Sequence, residues 1–207
     1  MLCYNEIMKK LTKIFIIIIL ILFILVLSTI STIAILTPKA DKLKDEIFPE
    51  SFFITNGTYI DYQESDDCSA YAIAYVLRSL GKDISGKNVY PKMKRFFGLM
   101  TVRSVKNAIK NEGYKAQSYY GNVSTLKQRI AEDKPVICYI MDNNDTHYVV
   151  AVGYDIEFIY LADSIKINEN VSNSHLYNRK VSVKEFERLW KNKWYLCNNI
   201  YIVADYA

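Results

Sequence analysis

The 207-residue sequence contains few of the residues from which metal centres and disulfide frameworks are built. Its cysteines and histidines are Cys3, Cys68, Cys138, Cys197, His147 and His175. They form no C-x-x-C pair, no dense cysteine spacing and no H-E-x-x-H motif. The sequence therefore predicts neither a disulfide scaffold nor a zinc site, and we expect no metal and no other cofactor.

The sequence also lacks the common glycine-rich motifs. It contains no G-x-x-x-x-G-K-[ST], no G-x-G-x-x-G and no G-x-S-x-G, which argues against a nucleotide-binding loop and a serine-hydrolase elbow. A strong excess of charge of one sign is missing too, because the chain beyond residue 36 carries 23 basic and 21 acidic residues. Without a basic stripe, we expect no nucleic-acid partner.

One long apolar run is present near the amino end. The 25 residues from Ile14 to Pro38 carry no charge, and a bilayer needs about 20 apolar residues. The run is longer than the apolar region of a cleaved signal peptide, which has about 7 to 15 residues. We predict a basic tail over residues 1–13 and a transmembrane signal anchor over residues 14–36, with the lipid bilayer as a partner.

The orientation of this anchor follows from its basic tail. Three lysines lie on each side of the run, so the positive-inside count does not decide between the two directions. A short basic tail before a hydrophobic run is typical of secretory targeting, so we expect a single-pass membrane protein with its domain outside the cell. Residues 37–57, which include Pro38 and Pro49, are predicted to be a stalk, and residues 58–207 a single domain.

Within that domain the patterns predict helices first and strands later, an α+β fold. The predicted helices cover residues 68–81, 101–113, 124–133 and 182–191, and the predicted strands cover residues 135–141, 147–154, 158–162 and 200–203. The first helix is predicted to begin with Asp66 and Asp67 as an acidic N-cap and to be followed by Gly81. A capping box from Ser182 to Glu185 opens the last helix.

One cysteine lies where a nucleophilic thiol is expected. Cys68 follows a polar turn and opens the first helix, where unsatisfied amides and the positive end of the helix dipole stabilise a thiolate. Cys138 and Cys197 lie in apolar, strand-like runs and are interpreted as inert side chains. Cys3 precedes the predicted membrane span.

A thiol nucleophile needs a base, and His147 is the better of the two histidines. It opens an apolar strand directly after a polar turn, whereas His175 lies in a polar loop and is interpreted as a surface residue. A hairpin that starts at His147 and returns through Phe158 brings Asp163 back beside the histidine if the pairing is slightly staggered. A carboxylate at that place would fix the tautomer of the imidazole.

Gln63 offers an oxyanion donor five residues before Cys68. Its side-chain amide and the backbone N–H of Cys68 could together form an oxyanion hole. The order glutamine, cysteine, histidine, aspartate is more informative than any one of these residues. It indicates an enzyme with a Cys-His-Asp triad.

Three strings carry a family resemblance: YQESDDCSAYAIAYVLRSLG at 62–81, THYVVAVGYD at 146–155 and YLADS at 160–164. They are similar to the blocks of the papain-like cysteine peptidases that process bacteriocin leaders, known best as the peptidase domain of bacteriocin-exporting ABC transporters. The similarity extends over about residues 58–207. It implies a papain-like α+β fold in which the nucleophile helix packs on a small antiparallel sheet.

The resemblance also implies roles for individual residues. It makes Cys68 the nucleophile, His147 the general base, Asp163 the residue that orients the base, and Gln63 the oxyanion donor. The sequence departs from the family at two points: Ser69 stands where glycine is common, and Gln63 precedes the cysteine by five positions where six is frequent. The family further implies cleavage after small residues, often a Gly-Gly pair, and association with an export system.

Alternatives stay open at this point. Leader processing takes place on the cytoplasmic side, whereas the predicted anchor places the domain outside. Either the substrate is an exported peptide or a cell-surface protein, or the anchor runs the other way. The same scaffold could also serve an acyl transferase, in which an amine replaces water, or a catalytically silent, membrane-tethered module that binds a peptide. The joint presence of cysteine, histidine and aspartate argues against the silent module, whereas the same triad would serve hydrolysis and acyl transfer alike.

Overall fold

The computed structural model of the chain describes residues 2–36, 38–65, 67–95, 100–143, 145–191 and 198–207. The chain divides into two units, residues 1–37 and residues 38–207. The first unit consists of one helix, α1 (Leu2–Leu36). Its segment Leu11–Thr29 is apolar, exposed and long enough to cross a bilayer. The helix therefore includes the predicted anchor and most of the predicted basic tail.

In the residues that the structure describes, the second unit contains five helices and two short 3-10 turns. The helices are α2 (Cys68–Ser79), α3 (Gly86–Val89), α4 (Val102–Asn111), α5 (Val123–Ala131) and α6 (Val183–Trp190). The 3-10 turns cover Tyr90–Lys92 and Lys166–Asn168. All four predicted helices are confirmed, with ends that differ by one or two residues, and α3 was not predicted.

The strands form one mixed sheet. They are β1 (Lys39–Ala40), β2 (Phe52–Phe53), β3 (Tyr114–Tyr120), β4 (Val136–Asp142), β5 (Asp145–Tyr154), β6 (Phe158–Ala162), β7 (Arg179–Ser182) and β8 (Ile200–Tyr206). Their order is β1-β3-β8-β4-β5-β6-β7, and β2 pairs with the end of β5. All described pairs are antiparallel except β1 with β3. The α+β class is confirmed, but the sheet is larger than the small antiparallel sheet that the resemblance implies.

The sequence patterns did not predict β3 and β7, and β3 interrupts the order of helices first and strands later. β3 lies between α4 and α5, and its inward side chains at Ala116 and Ser118 are small. Small inward residues give a weak alternating pattern, so this strand depends on its seven-residue pairing with β8. β7 likewise depends on its pairing with β6.

Helix α2 is the central helix of the domain. Every residue from Ser69 to Leu77 is buried, so the helix is covered on all sides and not only on one apolar face. It ends in a Schellman motif: Gly81, at φ +85°, donates its N–H to Arg78, and Lys82 donates to Leu77. The predicted glycine after the helix is thus confirmed, and its left-handed backbone explains why glycine is favoured there.

The segment predicted as a stalk, residues 37–57, contacts the domain along much of its length. β1 pairs with β3, and β2 pairs with β5. The carboxylate of Asp41 accepts two hydrogen bonds from Arg129 on α5, at 2.7 and 2.9 Å. Ile54 is part of the buried core. The folded unit therefore begins at Pro38, because these contacts outweigh the polar, proline-containing character of the segment.

The helix caps differ in detail from the expected ones. Ser182 accepts a hydrogen bond from the N–H of Glu185 at 3.2 Å, but the Glu185 carboxylate pairs with Arg188. Only half of the predicted capping box is present there. A complete box opens α5 instead, where the side chains of Asn122 and Thr125 each accept from the other's backbone N–H.

Candidate active site

Cys68 is the first residue of α2, and its thiol is free and partly exposed. Asp67 stands at the N-cap position, but its side chain makes no capping hydrogen bond; Asp66 lies outside the described residues. The predicted acidic cap is therefore not formed by Asp67. Burial raises the pKa of this carboxyl, and its Oδ1 has no hydrogen-bond partner. The Asp67 carbonyl accepts from the N–H of Ala70 at 2.8 Å, but no N-cap side chain accepts from the first two amides of the helix, which suits these amides to stabilise a thiolate.

The imidazole of His147 and the carboxylate of Asp163 form a buried hydrogen bond. Nε2 and Oδ1 are 2.7 Å apart, and the two side chains are 4% and 0% exposed. Val150 on β5 lies opposite Ala162 on β6, so His147 and Asp163 are diagonal neighbours and not direct partners. This is the staggered hairpin that the spacing of 16 residues predicts.

Cys68 interacts with the same imidazole. A carboxylate only accepts, so Nε2 donates to Asp163, and Nδ1 is the nitrogen left for Cys68, whose interaction raises the pKa of the ring. Burial lowers the pKa of His147, but the hydrogen bonds with Asp163 and Cys68 outweigh it and raise the pKa to about 10. The imidazole is therefore charged at neutral pH, as a thiolate–imidazolium pair requires.

The Asp163 carboxylate is buried and surrounded by donors. Besides the bond with His147, Oδ1 accepts from the backbone N–H of Ile165 at 2.9 Å. Oδ2 accepts from Asn168 Nδ2 at 3.0 Å and from Arg179 Nη1 at 2.8 Å. Burial raises the pKa of Asp163, but the hydrogen bond and charge of His147, the Ile165 amide and the Arg179 charge lower it to about 2. The carboxylate is ionised at neutral pH.

The sequence patterns do not predict the residues that bind the backbone and the carboxylate of Asp163. Asn178 fixes the backbone of Asp163, because its Nδ2 donates to the carbonyl at 2.8 Å and its Oδ1 accepts from the N–H at 2.9 Å. Asn178, Asn168 and Arg179 lie in a polar stretch without periodic pattern, and no sequence signal marks them. Their approach to Asp163 depends on the return of β7 alongside β6.

Gln63 is held against the residue that follows Asp163. Its Oε1 accepts from the hydroxyl of Ser164 at 2.6 Å, and its backbone N–H donates to the Ser164 carbonyl at 3.0 Å. Its Nε2 donates to the carbonyl of Ser65 at 2.6 Å. One amide hydrogen is therefore occupied within the loop, and the second hydrogen of the same nitrogen is the one that could serve an oxyanion.

The other candidate residues lie away from this group or outside the described part of the chain. Cys138 is fully buried, and burial raises the pKa of its thiol. His175 is exposed, as predicted. Cys197 lies outside the described residues. Among the residues that the structure describes, no three histidine, cysteine, aspartate or glutamate side chains are grouped to hold a metal ion.

The chain is similar to known proteins of one family. The family described as the Peptidase C39 family matches residues 57–199. A double glycine motif protease from an AMS/PCAT transporter, solved with its leader peptide, is 21% identical, with a TM-score of 0.56 over 78% of this chain and 100% of that one. The peptidase domain of Streptococcus ComA is 17% identical, with a TM-score of 0.56 over 72% and 98%. A C39-like peptidase from Bacillus anthracis is 17% identical, with a TM-score of 0.55 over 75% and 98%. No curated protein matches the chain.

Proposed function

This chain is a cysteine peptidase of the peptidase C39 family, and we propose that Cys68, His147 and Asp163 are its catalytic triad. One observation carries the proposal: the buried His147 ring is hydrogen-bonded to Asp163, and its pKa is raised by interaction with Cys68, the residue that opens α2. A nucleophile, a base and a group that orients the base are the parts that covalent catalysis by a thiol needs.

In the first half of the reaction, the Cys68 thiolate attacks the carbonyl carbon of the scissile peptide bond. The tetrahedral intermediate collapses when the C–N bond breaks, and the imidazolium of His147 gives its proton to the leaving amine. The carbonyl carbon is then bound to sulfur as a thioester. Asp163 keeps the imidazole in one tautomer and stabilises its charge throughout.

In the second half, His147 takes a proton from water, and the hydroxyl attacks the thioester carbon. The C–S bond breaks, the acid is released, and the thiolate–imidazolium pair is restored. Negative charge develops on the carbonyl oxygen in both halves. The backbone N–H of Cys68 and the side-chain amide of Gln63 are the donors that we propose for this oxyanion.

We propose that the substrate is a peptide or protein cut after small residues such as Gly-Gly. Support comes from a structural neighbour, which is described as a double glycine motif protease in complex with a leader peptide. We further propose that α1 anchors the protein in the cell membrane with the domain outside, and that the protein works with an export system. The exposed apolar segment Leu11–Thr29 supports the anchor.

Alkylation of the full chain in detergent micelles tests the triad. At neutral pH, iodoacetamide and peptide mass mapping should show rapid modification of Cys68 and none of Cys138, whose thiol is buried. The modification should be lost in His147→Ala. Equal or absent labelling of the two cysteines would contradict the triad and favour a silent binding module.

Two further measurements test the finer proposals. A peptide with an internal Gly-Gly should be cleaved, and a matched peptide with Val-Val should not; formation of an amide with an added amine would indicate acyl transfer. Protease treatment of intact cells should remove the domain if it lies outside. A domain that survives shaving would contradict the proposed orientation and leave the triad unaffected.

A further inference from the structure

The guanidinium of Arg179 bridges two carboxylates behind the proposed triad. Its Nη1 is 2.8 Å from Oδ2 of Asp163 and 2.7 Å from Oδ2 of Asp142. The three side chains are nearly buried, with exposures of 10% for Arg179, 0% for Asp163 and 14% for Asp142. The bridged oxygen of Asp163 is the one that His147 does not contact.

We propose that Arg179 and Asp142 are positioning residues for catalysis: Arg179 fixes the rotation of the Asp163 carboxylate, and Asp142 offsets the charge of Arg179. The inference rests on the proposed triad, because it assigns a role to the residues behind Asp163. Neither residue contacts the imidazole in the described hydrogen bonds, so both act through Asp163.

The Asp163 carboxylate needs partners to keep a fixed rotation. The torsion that turns a carboxylate is broad and roughly two-fold, so the side chain needs partners to keep one oxygen facing its target. Here Arg179 holds Oδ2 together with the neutral amide of Asn168, while His147 and the Ile165 amide share Oδ1. A fixed charge-assisted bond at Oδ2 therefore keeps Oδ1 directed at the imidazole.

Asp142 keeps the group of Asp163, Arg179 and Asp142 negatively charged. Arg179 alone beside Asp163 would neutralise the carboxylate and weaken its stabilisation of the imidazolium. Asp142, at the end of β4, adds a second negative charge, so the three groups together carry a net charge of −1. A buried guanidinium with only one carboxylate partner would also be costly.

The charged and titratable groups around the imidazole come from four elements. They are Cys68 from α2, Asp163 from the end of β6, Arg179 from β7 and Asp142 from β4. Removal of the Asp142 charge leaves the other three in place. A change in the titration midpoint of His147 in Asp142→Asn therefore measures the loss of one negative charge, because the other three groups are still present.

The test uses the full chain in detergent micelles with Asp142→Asn, Arg179→Met and Arg179→Lys. Arg129→Met is the matched control, because Arg129 binds the carboxylates of Asp41 and Glu132 elsewhere in the domain. Three quantities are measured: the rate of Cys68 alkylation by iodoacetamide against pH, the NMR titration of labelled histidine, and the thermal unfolding temperature. The chain has two histidines, so exposed His175 serves as an internal reference.

Asp142→Asn should lower the titration midpoint of His147 by about half a pH unit or more, and leave His175 unchanged. Arg179→Met should slow the alkylation of Cys68 at neutral pH by about 10²-fold per folded molecule, as expected when a base is misplaced. Arg179→Lys should recover most of that rate, because one ammonium nitrogen can bridge both carboxylates. Arg129→Met should lower the unfolding temperature only.

The outcomes separate this inference from the proposed function. If wild-type Cys68 is not selectively alkylated and His147→Ala changes nothing, the triad itself fails. If the wild type behaves as a triad but Asp142→Asn leaves the midpoint of His147 unchanged, the positioning role is overturned. If Arg179→Met does not fold, the Asp142→Asn and Arg179→Lys variants decide the question. The positioning role is also overturned if Arg179→Lys has a native fold but shows the lowered His147 midpoint and the slow Cys68 alkylation of a disrupted triad.

Discussion

The two halves of the proposed site differ in how completely their polar groups are satisfied. On the base side, each oxygen of the buried Asp163 carboxylate accepts at least two hydrogen bonds. On the nucleophile side, α2 begins without a side-chain cap, and Asp67 Oδ1 is buried with no partner. The base is held rigidly, whereas the helix start keeps donors free for a substrate oxygen.

This difference has an energetic meaning. Unsatisfied buried polar groups cost stability, so a fold keeps them mainly where function uses them. In the proposed mechanism, the donors of the helix start serve charge that appears only during reaction. The network around Asp163 must instead be complete in the resting enzyme, because it sets the tautomer of His147 before substrate binds.

Loss of the Asp163 charge should have the largest effect. Asp163→Asn keeps the size of the side chain but removes the negative charge that stabilises the imidazolium, and its amide N–H can face the ring and favour the wrong tautomer, so kcat for a peptide with Gly-Gly should fall by about 10²- to 10⁴-fold. Asp155→Asn is the matched control, because Asp155 lies at the turn of the same hairpin. A kcat that falls equally in both variants would mean that only hairpin stability matters.

The stability contributed by His147 should depend on pH. Its pKa is about 10 in the folded protein and about 6.5 in the unfolded chain, so the stabilisation is complete below pH 6.5 and lost as pH rises to 10. The pKa of Asp163 is about 2 in the folded protein and about 3.9 in the unfolded chain. The stabilisation from its charge is therefore complete above about pH 4 and is lost as the pH falls to 2.

Chemical denaturation of the wild type and of His147→Gln measures this dependence. The difference in unfolding free energy should be greatest between about pH 4 and pH 6.5, where both groups are charged. His175→Gln is the control, because it replaces the exposed histidine. A difference that stays constant from pH 6 to pH 10 would contradict the raised pKa.

Replacement of Asp67 should have the smallest effect, with the opposite sign. Burial raises its pKa, so the charged form destabilises the fold at neutral pH, and the penalty disappears as pH falls through that pKa. Asp67→Asn should therefore stabilise the protein at pH 7 by about 1 kcal/mol, and by less at pH 4. The measurement is again denaturation at both pH values.

Asp205→Asn provides the control for that measurement. Asp205 is paired with Lys134 at 2.8 Å on the surface, and hydrogen bonding with this lysine lowers its pKa. Its amide variant should lose up to about 1 kcal/mol at pH 7, not gain it. If Asp67→Asn also destabilises, the Asp67 carboxylate has a role that its unpartnered Oδ1 does not reveal.

Much of the site could be predicted because its signals are local. Cys68 was predicted at the start of α2 from a polar turn before an apolar helix and from Gly81 after it, and both features depend on neighbouring residues alone. The approach of His147 and Asp163 follows from one hairpin, in which a short turn determines the register. The α+β class follows in the same way from the period of the apolar residues.

Contacts between distant segments could not be predicted. The capping role assigned to Asp67 failed because the residue type favours a cap, while the local backbone directs the carboxylate elsewhere. β1 and β2 are two residues long and exist only through their pairing with β3 and β5. The pattern of polar and apolar residues does not predict such strand pairing, because a short polar segment can have the same composition in a stalk and at the edge of a sheet.

The amino-acid sequence by itself determined an apolar amino-terminal helix, a thiol at a helix start and an imidazole–carboxylate hairpin, since each arises from residues close together in the chain. Only the tertiary structure decided what lies behind Asp163. Arg179 and Asp142 meet there because the start of β7 lies near the end of β4, and no local pattern predicts a buried ion pair between residues that are 37 positions apart.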